Sequence, residues 1–386
     1  MRQATKVRIY PTAEQVDFLH RQFGAVRFVY NKALHILSHR YRVHGQSLNA
    51  KHDMKKLLPV AKKSRKYGWL READSMALQQ ACINLDRAFQ NFFNPTLKAR
   101  YPRFKRKHGK QSSYHCVGTQ VGEDAIKVPK IGWIKARLHR PIDGTLKSIT
   151  LTRTTTGKYF AAILVETGKE APTPIRDLDA NSITGLDAGL THLVIDSSGR
   201  KLPNPRLLLQ VAANLRHKQK ALSRCQKGSR RRAKARLRVA KAHERLANAR
   251  ADFQHQLSRR LIDDNQAVIV ETLRIVNLLK NKRLAKHIAD AAWGGLMQKL
   301  AYKAERAGKH LVKLDAWYPS SKTCFHCGHK LESMPLSVRT WGCPACGTQG
   351  IDRDINAARN IRHQGIIALK AAGLSVSAHG GCVSPA

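Results

Sequence analysis

Cys324-Phe325-His326-Cys327 and Cys343-Pro344-Ala345-Cys346 place four thiols in two Cys-x-x-Cys pairs, with fifteen residues between the pairs. That is the spacing of a four-thiolate zinc ribbon, in which four sulfurs close a tetrahedron and leave no open position. Cys324, Cys327, Cys343 and Cys346 are therefore the candidate ligands of one structural Zn²⁺. Directly behind them runs Asp352-Arg353-Asp354-Ile355-Asn356-Ala357-Ala358, an acidic segment at the start of a predicted helix. Two more carboxylates close predicted strands, Asp187 after Ile183-Thr184-Gly185-Leu186 and Glu271 after Ala267-Val268-Ile269-Val270. Taken singly, each has an ordinary explanation as a turn residue or a helix cap. Taken together, three acids at element ends can converge on one edge of a mixed sheet. Such a cluster is costly unless cations neutralise it. Two Mg²⁺ ions about 3.5–4 Å apart relieve the repulsion and hydrolyse phosphodiesters, one activating water and the other stabilising the leaving oxygen. Asp187, Glu271 and Asp354 are the candidate catalytic magnesium ligands. No Cys/His nucleophile pair, P-loop or GxGxxG fingerprint competes with this chemistry.

The charge balance names the kind of partner. In 386 residues, 70 Lys and Arg face 26 Asp and Glu, a formal net charge of +44. A chain this basic needs a polyanion. No run of about 18 apolar residues exists, so no membrane span is expected, and the first residues lack the apolar stretch of a signal peptide. Cys82, Cys116, Cys225 and Cys382 are scattered singly, which suits a reducing cytosol with one metal site better than a disulfide framework. Two of the basic stretches stand out. Tyr101-Pro102-Arg103-Phe104-Lys105-Arg106-Lys107-His108-Gly109-Lys110 interleaves cations with aromatics, a mixture suited to stacking and phosphate contact. A second run includes Arg230, Arg231, Arg232, Lys234, Arg236 and Arg238. Its one-sidedness makes a phosphate backbone its expected counter-charge.

These residues need elements to position them. A short strand at 6–10 ends at Pro11, and Thr12 followed by Gln15 has the form of a capping box. Leu19, Phe23, Val26, Tyr30, Ala33 and Leu37 then mark one face of a helix, and Leu78, Cys82, Leu85, Phe89 and Phe92 mark another. Residues 12–95 read as a helical module around a basic segment at Lys51–Lys66. From about 100 to 168 the period becomes two, predicting a small antiparallel barrel or sandwich that the strand at 6–10 could join. Pro172 and Pro174 mark a linker. Strands at 183–187 and 193–196, a helical hairpin at 206–260, a buried strand at 267–270, a helix at about 288–308 and a strand at 311–316 lead to the ribbon and the helix near Asp354. The tail from Gly373 is expected to be disordered.

In this order the motifs resemble the TnpB (OrfB) family of transposon-encoded RNA-guided DNA endonucleases. Gly185-Leu186-Asp187-Ala188-Gly189, Val270-Glu271-Thr272-Leu273 and Asp352-Arg353-Asp354-Ile355-Asn356-Ala357-Ala358 resemble its three RuvC motifs, with Thr272 standing where the family usually has an acid. Ser320-Ser321-Lys322-Thr323-Cys324 through Cys346 resembles its zinc ribbon. Gly24 to Asn31, Ala88 to Phe93 and Tyr101 to Lys105 look like its N-terminal landmarks. The resemblance implies a multidomain α+β fold. An N-terminal wedge β-barrel (1–11 plus 96–172) holds an inserted helical recognition module (12–95). An RNase H-like RuvC domain (173–318 plus 348–372) is split by the four-cysteine zinc ribbon (319–347), and the tail covers 373–386. It further implies a guide RNA from the transposon end and a double-stranded DNA target beside a short flanking motif. One chain per RNA, in the cytoplasm of a bacterium or archaeon, goes with these. For the reader of that motif the helix face with Ser75, Gln79 and Gln80 is the candidate, since Gln pairs bidentately with adenine edges. A transposase of the same fold usually orders its acids Asp, Asp, Glu, and a silent guided DNA-binding regulator would have lost one of them. This chain has Asp, Glu, Asp with none lost.

Overall fold

The computed structural model describes residues 1–107, 111–335 and 337–377. The backbone separates into two compact units, Met1–Glu170 and Ala171–Ala386.

In the first unit, β1 (Arg2–Tyr10) precedes α1 (Ala13–His44), α2 (Asp53–Lys63) and α3 (Ser75–Phe93). Then come β2 (Gln111–Cys116), β3 (Gln120–Val121), β4 (Ala125–Val128), β5 (Gly132–Arg137), β6 (Thr145–Thr154) and β7 (Tyr159–Glu166). One sheet takes all seven strands in the order β2-β6-β7-β1-β5-β4-β3. The first strand thus pairs with the last, antiparallel from Arg2 opposite Glu166 to Ile9 opposite Tyr159, and the three helices are an insertion between them. α1 starts where Thr12 and Gln15 each bond the other's backbone N–H, the reciprocal cap that satisfies two orphan donors. All six residues of its expected apolar face are buried, in one core with Leu78, Cys82 and Leu85 of α3 and with Ile126, Ile134 and Ile163 of the sheet. The basic segment at 51–66 contains α2, which buries Met54 and Leu58 one turn apart beneath its lysines.

The second unit contains β8 (Asp177–Asp179), β9 (Ile183–Asp187), β10 (His192–Asp196) and β11 (Lys201–Pro203), then α4 (Leu207–Ser223) and α5 (Arg230–Asp263). It continues through β12 (Ala267–Glu271), α6 (Ile275–Leu278), α7 (Ala285–Ala291), α8 (Trp293–Arg306) and β13 (His310–Leu314). It closes with β14 (Thr340–Trp341), β15 (Ile351–Asp352), α9 (Arg353–Ala371) and β16 (Ser375–Ser377). Its main sheet runs β11-β10-β9-β12-β13, and β12 lies parallel to both neighbours. Val268 and Val270 face a core shared with Leu257 and Leu261 of α5 and Leu296 and Leu300 of α8. Ala267 and Ile269 face the opposite core, with Ile361 and Leu369 of α9. A strand covered on both faces reads as an unbroken apolar run, which is why Ala267-Val268-Ile269-Val270 shows no alternation.

The disordered tail expected from Gly373 is corrected at its start. Ser375, Val376 and Ser377 pair in parallel with Asp177, Leu178 and Asp179, and Val376 packs on the core under α9. Backbone pairing and one apolar contact order a segment that composition marks as small and polar. Residues 378–386, the rest of that expected tail, lie outside the described residues.

α9 approaches β9 at backbone distance. A Cβ on Gly185 would stand 2.2 Å from the Ala358 carbonyl oxygen and 2.4 Å from the Arg362 nitrogen. No rotamer change can relieve a clash with backbone, so Gly185→Ala must push helix and strand apart. The expected loss is about 3 kcal/mol or more, at the upper end for overpacking. Chemical denaturation measures it, and a loss below about 0.5 kcal/mol, the range of neutral surface changes, would contradict this packing.

Candidate metal and nucleic-acid sites

The close packing at Gly185 sets the position of the acids. Asp187 and Glu271 end parallel neighbours whose preceding residues, Leu186 and Val270, are register partners. The Ala188 N–H bonds towards both carboxylates. Asp354 sits in the first turn of α9, the helix laid against β9. All three are half-buried. Burial, then the charges of Glu271 and Asp354, push the Asp187 carboxyl up to about 8, against the opposing pull of Arg353 and the Ala188 N–H. Burial raises Glu271 as well. Burial and neighbouring acids therefore favour a proton, or a cation in its place, on Asp187 near neutral pH. Arg339 Nη1 stands 3.5 Å from Asp354 Oδ1 with its side chain largely in solvent, a weak counter-charge. Hard carboxylate oxygens at a partly open edge fit divalent ions such as Mg²⁺. Their spacing is wider than that of ligands around one ion: among the described residues, the ligand set lying within 4.8 Å throughout is the four cysteines.

Asp352 has a different task. Its Oδ1 accepts from the N–H groups of Asp354 and Ile355 at 3.0 Å each, capping α9, and its Oδ2 accepts from Lys201 Nζ at 2.6 Å. Burial pushes its carboxyl upward, but Lys201 and the two N–H groups outweigh this and hold it below the usual range.

The thiols are poised for a tetrahedron. Cys324 and Cys346 sulfurs lie 3.9 Å apart and those of Cys327 and Cys343 lie 3.6 Å apart. Four sulfurs at a Zn–S distance of about 2.3 Å have edges of about 3.8 Å. The two knuckles repeat one design. Each continues into a glycine in the left-handed region, Gly328 at φ 76° and Gly347 at φ 73°. The glycine N–H returns to the first cysteine's carbonyl, at 2.9 Å from Gly328 and 3.0 Å from Gly347. The donor set fits Zn²⁺, which these four thiolates would hold as a closed structural ion.

Sequence reasoning passed over the residues that join ribbon to helix. Asn356 and Asn360 are buried one turn apart on α9. Asn356 accepts from the Phe325 N–H at 2.9 Å and donates to the Thr323 carbonyl at 2.7 Å. Asn360 donates to the Ser320 and Thr323 carbonyls at 2.8 and 2.6 Å. Two asparagines at i and i+4 behind an acidic helix start were the available signal, because polar side chains on an inward face must find partners.

The expected nucleic-acid contacts divide. Arg103, Arg106 and Lys107 are exposed, as are Arg230, Arg231, Lys234, Arg236 and Arg238 along α5. Lys105 is committed within the unit: its ammonium lies 4.0 Å from the Tyr30 ring centroid, and Asn31 brackets its backbone N–H and carbonyl. Arg232 is likewise a hairpin clasp, donating to the Leu222 and Cys225 carbonyls at 3.2 and 2.8 Å. On α3, Ser75 accepts from Lys62 at 2.6 Å and Gln80 donates to Asn84 at 3.1 Å, whereas Gln79 lies half-buried beside them. His108, Gly109 and Lys110 of the aromatic-basic segment lie outside the described residues. No described helix is long and apolar enough to cross a membrane.

Three family models match the chain: a helix-turn-helix domain of OrfB of IS605 at residues 1–46, "Probable transposase" OrfB of IS605 at 162–282, and the Cas12f1-like TNB domain at 293–361. A Streptomyces pristinaespiralis protein named "Putative RNA-guided DNA endonuclease" is 38% identical over 391 residues, spanning 100% of this chain and 92% of its own. InsQ of Escherichia coli (strain K12), given the same description, is 28% identical over 382 residues, 93% of this chain and 91% of its own. Among solved structures, a chain of a Cas12f1–sgRNA–target DNA complex superposes with a TM-score of 0.55 at 12% identity, covering 94% of this chain and 98% of that one. At that identity the likeness is one of fold, and it extends over nearly the full length. With a relative this similar along its whole length and family models at both ends and in the middle, the chain belongs to the TnpB (OrfB) family.

Proposed function

We propose that the protein is an RNA-guided DNA endonuclease of the TnpB and Cas12f type, cutting DNA at Asp187, Glu271 and Asp354. The observation that supports this is that Asp187 and Glu271 end paired strands and Asp354 opens the helix packed on β9, near enough that both other charges act on Asp187. Divalent ions bound there would supply charge neutralisation and an activated water. The chain's own part is to fix the ligands: β9 and β12 hold two carboxylates in register, and Asp352 caps α9 so that Asp354 stays in its first turn. Lys201, bonded to Asp352, keeps the capping carboxylate ionised and away from the metal-binding role. The modules follow the family reading. The seven-stranded sheet acts as the wedge barrel and helices 12–95 as the recognition module. Residues 173–318 plus 348–372 form the RuvC-like nuclease, with the ribbon at 319–347. The guide is the RNA from the transposon end, one chain per RNA. The direct test is to sequence the RNA that co-purifies, then offer DNA matched to its 3′ segment with Mg²⁺. Cutting that requires both the match and a short flanking motif supports the reading. Guide-dependent binding without cutting would favour the silent regulator.

The exposed face of α5 is proposed to follow a nucleic-acid backbone. Reversing Arg230, Arg231, Lys234 and Arg236 to Glu is expected to weaken RNA binding for every guide alike. The log–log salt slope should flatten by roughly one unit per lost contact. Arg232→Ala should act differently, through stability, because it clasps the hairpin. An effect confined to particular target sequences would refute backbone contact.

For the flanking motif, Gln79 is the proposed reader on α3, with Ser75 and Gln80 partly occupied by Lys62 and Asn84. Gln79→Ala is expected to relax the flanking requirement by roughly 5- to 150-fold in discrimination, one bidentate base contact, while guide matching stays essential. An unchanged preference in a library of randomised flanks would move the reader into the sheet at 111–166.

A further inference from the structure

Trp317 is the most exposed tryptophan among the described residues, 75% open to solvent, on a loop tied by hydrogen bonds on both sides. The loop leaves β13 at Leu314, the register partner of Glu271, and the Leu314 carbonyl accepts from Thr272 Oγ1 at 2.5 Å. The Trp317 N–H donates to Asp315 Oδ1 at 2.7 Å. Beyond it, Tyr318 donates to the Asn360 carbonyl at 3.4 Å, and the Ser320 carbonyl accepts from Asn360 at 2.8 Å. An indole is a large apolar surface that a fold ordinarily buries, and here a pinned backbone displays it instead. Arg274, three residues after Glu271, places its guanidinium 4.8 Å from the ring centroid. The pair therefore lies just past the ends of β12 and β13, beyond the sheet edge that carries the acids. The chain around it is one-sided: between Glu271 and Asp290 stand Arg274, Lys280, Lys282, Arg283 and Lys286 and no acid.

From this we infer that Trp317, backed by Arg274, is a stacking platform for an unpaired nucleobase of the DNA strand delivered to the carboxylates. The inference rests on the reading of those carboxylates as the nuclease site. An aromatic face accepts any base, and an arginine beside it adds attraction to the neighbouring phosphate and ring. An unpaired strand leaves its phosphates mobile, and hydrolysis needs the scissile one held still. A stack one or two nucleotides away fixes the phosphate without reading sequence. Trp317 touches no reacting atom in this scheme and is a positioning residue.

The test uses the full-length protein with its guide RNA and a matched target carrying 5-iododeoxyuridine at single positions, with a parallel set carrying 5-iodouridine in the guide. Irradiation is expected to cross-link Trp317 to the DNA strand, and peptide mapping locates the adduct. Trp317→Ala and Trp317→Leu are expected to lower the single-turnover rate at saturating target by roughly 5- to 150-fold, the equivalent of one lost stack. Trp317→Phe and Trp317→Tyr should retain most of the rate, and the melting temperature should not move, since the side chain is exposed. A leucine variant as fast as wild type, or an adduct found only with the guide, would overturn the assignment. A wild-type complex that cross-links at Trp317 but does not cut would sink the nuclease reading and leave the platform standing.

Discussion

Changing Asp187, Glu271 or Asp354 to the corresponding amide is expected to lower guided DNA cleavage by at least about 10³-fold, because divalent ions supply several kcal/mol of transition-state stabilisation. Each amide keeps the shape of the side chain and loses the charge that holds an ion. RNA and DNA binding should persist within a few-fold, since the acids oppose polyanion binding. Asp352→Asn is the control two residues away from Asp354. Asparagine caps a helix about as well as aspartate. The pair with Lys201, about a third exposed on both sides, contributes about 1 kcal/mol or less. Its cleavage rate should stay within roughly tenfold of wild type. Single-turnover rates on a matched target decide the matter, and an amide at any of the three acids that cuts at near wild-type rate removes that residue from the site. A second readout needs no substrate. With the Asp187 carboxyl near 8 in the folded chain and 3.8 as its ordinary value, the folded state must take up a proton that the unfolded state releases. Between those values stability falls as pH rises. In chelator, Asp187→Asn should therefore melt higher than wild type near neutral pH, and the difference should vanish towards pH 4. Equal melting across that range would mean that neither burial nor the neighbouring acids raise the Asp187 carboxyl.

The parts of this design that were legible in the sequence share a cause: local spacing carried them. The two cysteine knuckles, the Thr12 and Gln15 cap and the apolar faces of α1 and α3 are fixed by neighbours within a few residues. So is the run Ala267-Val268-Ile269-Val270, whose lack of alternation already implied burial on both faces. What stayed hidden depended on distant partners. β6 disguises its period with a bulge between Leu146 and Ser148, which shifts alternate side chains to the wrong face of any pattern. β16 is ordered by Asp177–Asp179, nearly two hundred residues away, so its own small polar composition was misleading. Cation counts located basic surfaces but could not tell a free arginine from Arg232, whose guanidinium is spent on two carbonyls. Gly185 read as part of a motif, and only the placement of α9 shows why a methyl group cannot stand there. Asn356 and Asn360 had a legible spacing, and their meaning came only with the ribbon folded against them.

That asparagine pair makes the ribbon more than an appendage, and it fixes the second large effect. Cys343→Ser should lower bound zinc from about one per chain to a small fraction, because structural zinc is held by roughly 10–16 kcal/mol of binding that folds its own ligands. Serine cannot replace a thiolate at that affinity. The consequence should reach α9. With the knuckle at Cys324 loose, the Phe325 N–H and the Ser320 and Thr323 carbonyls no longer meet Asn356 and Asn360, leaving buried amides that cost about 1–3 kcal/mol each when unsatisfied. The first turns of α9, including Asp354, should then exchange their amide protons faster, and cleavage should fall by about tenfold or more although no cysteine touches the acids. Cys225→Ser, which alters a thiol outside the cluster, should keep both zinc and rate. Elemental analysis, hydrogen exchange and single-turnover cleavage on the same preparations separate the possibilities. Zinc lost with α9 exchange unchanged would mean that the ribbon folds independently of the helix. Zinc retained in the serine variant would mean that Cys343 is not a ligand.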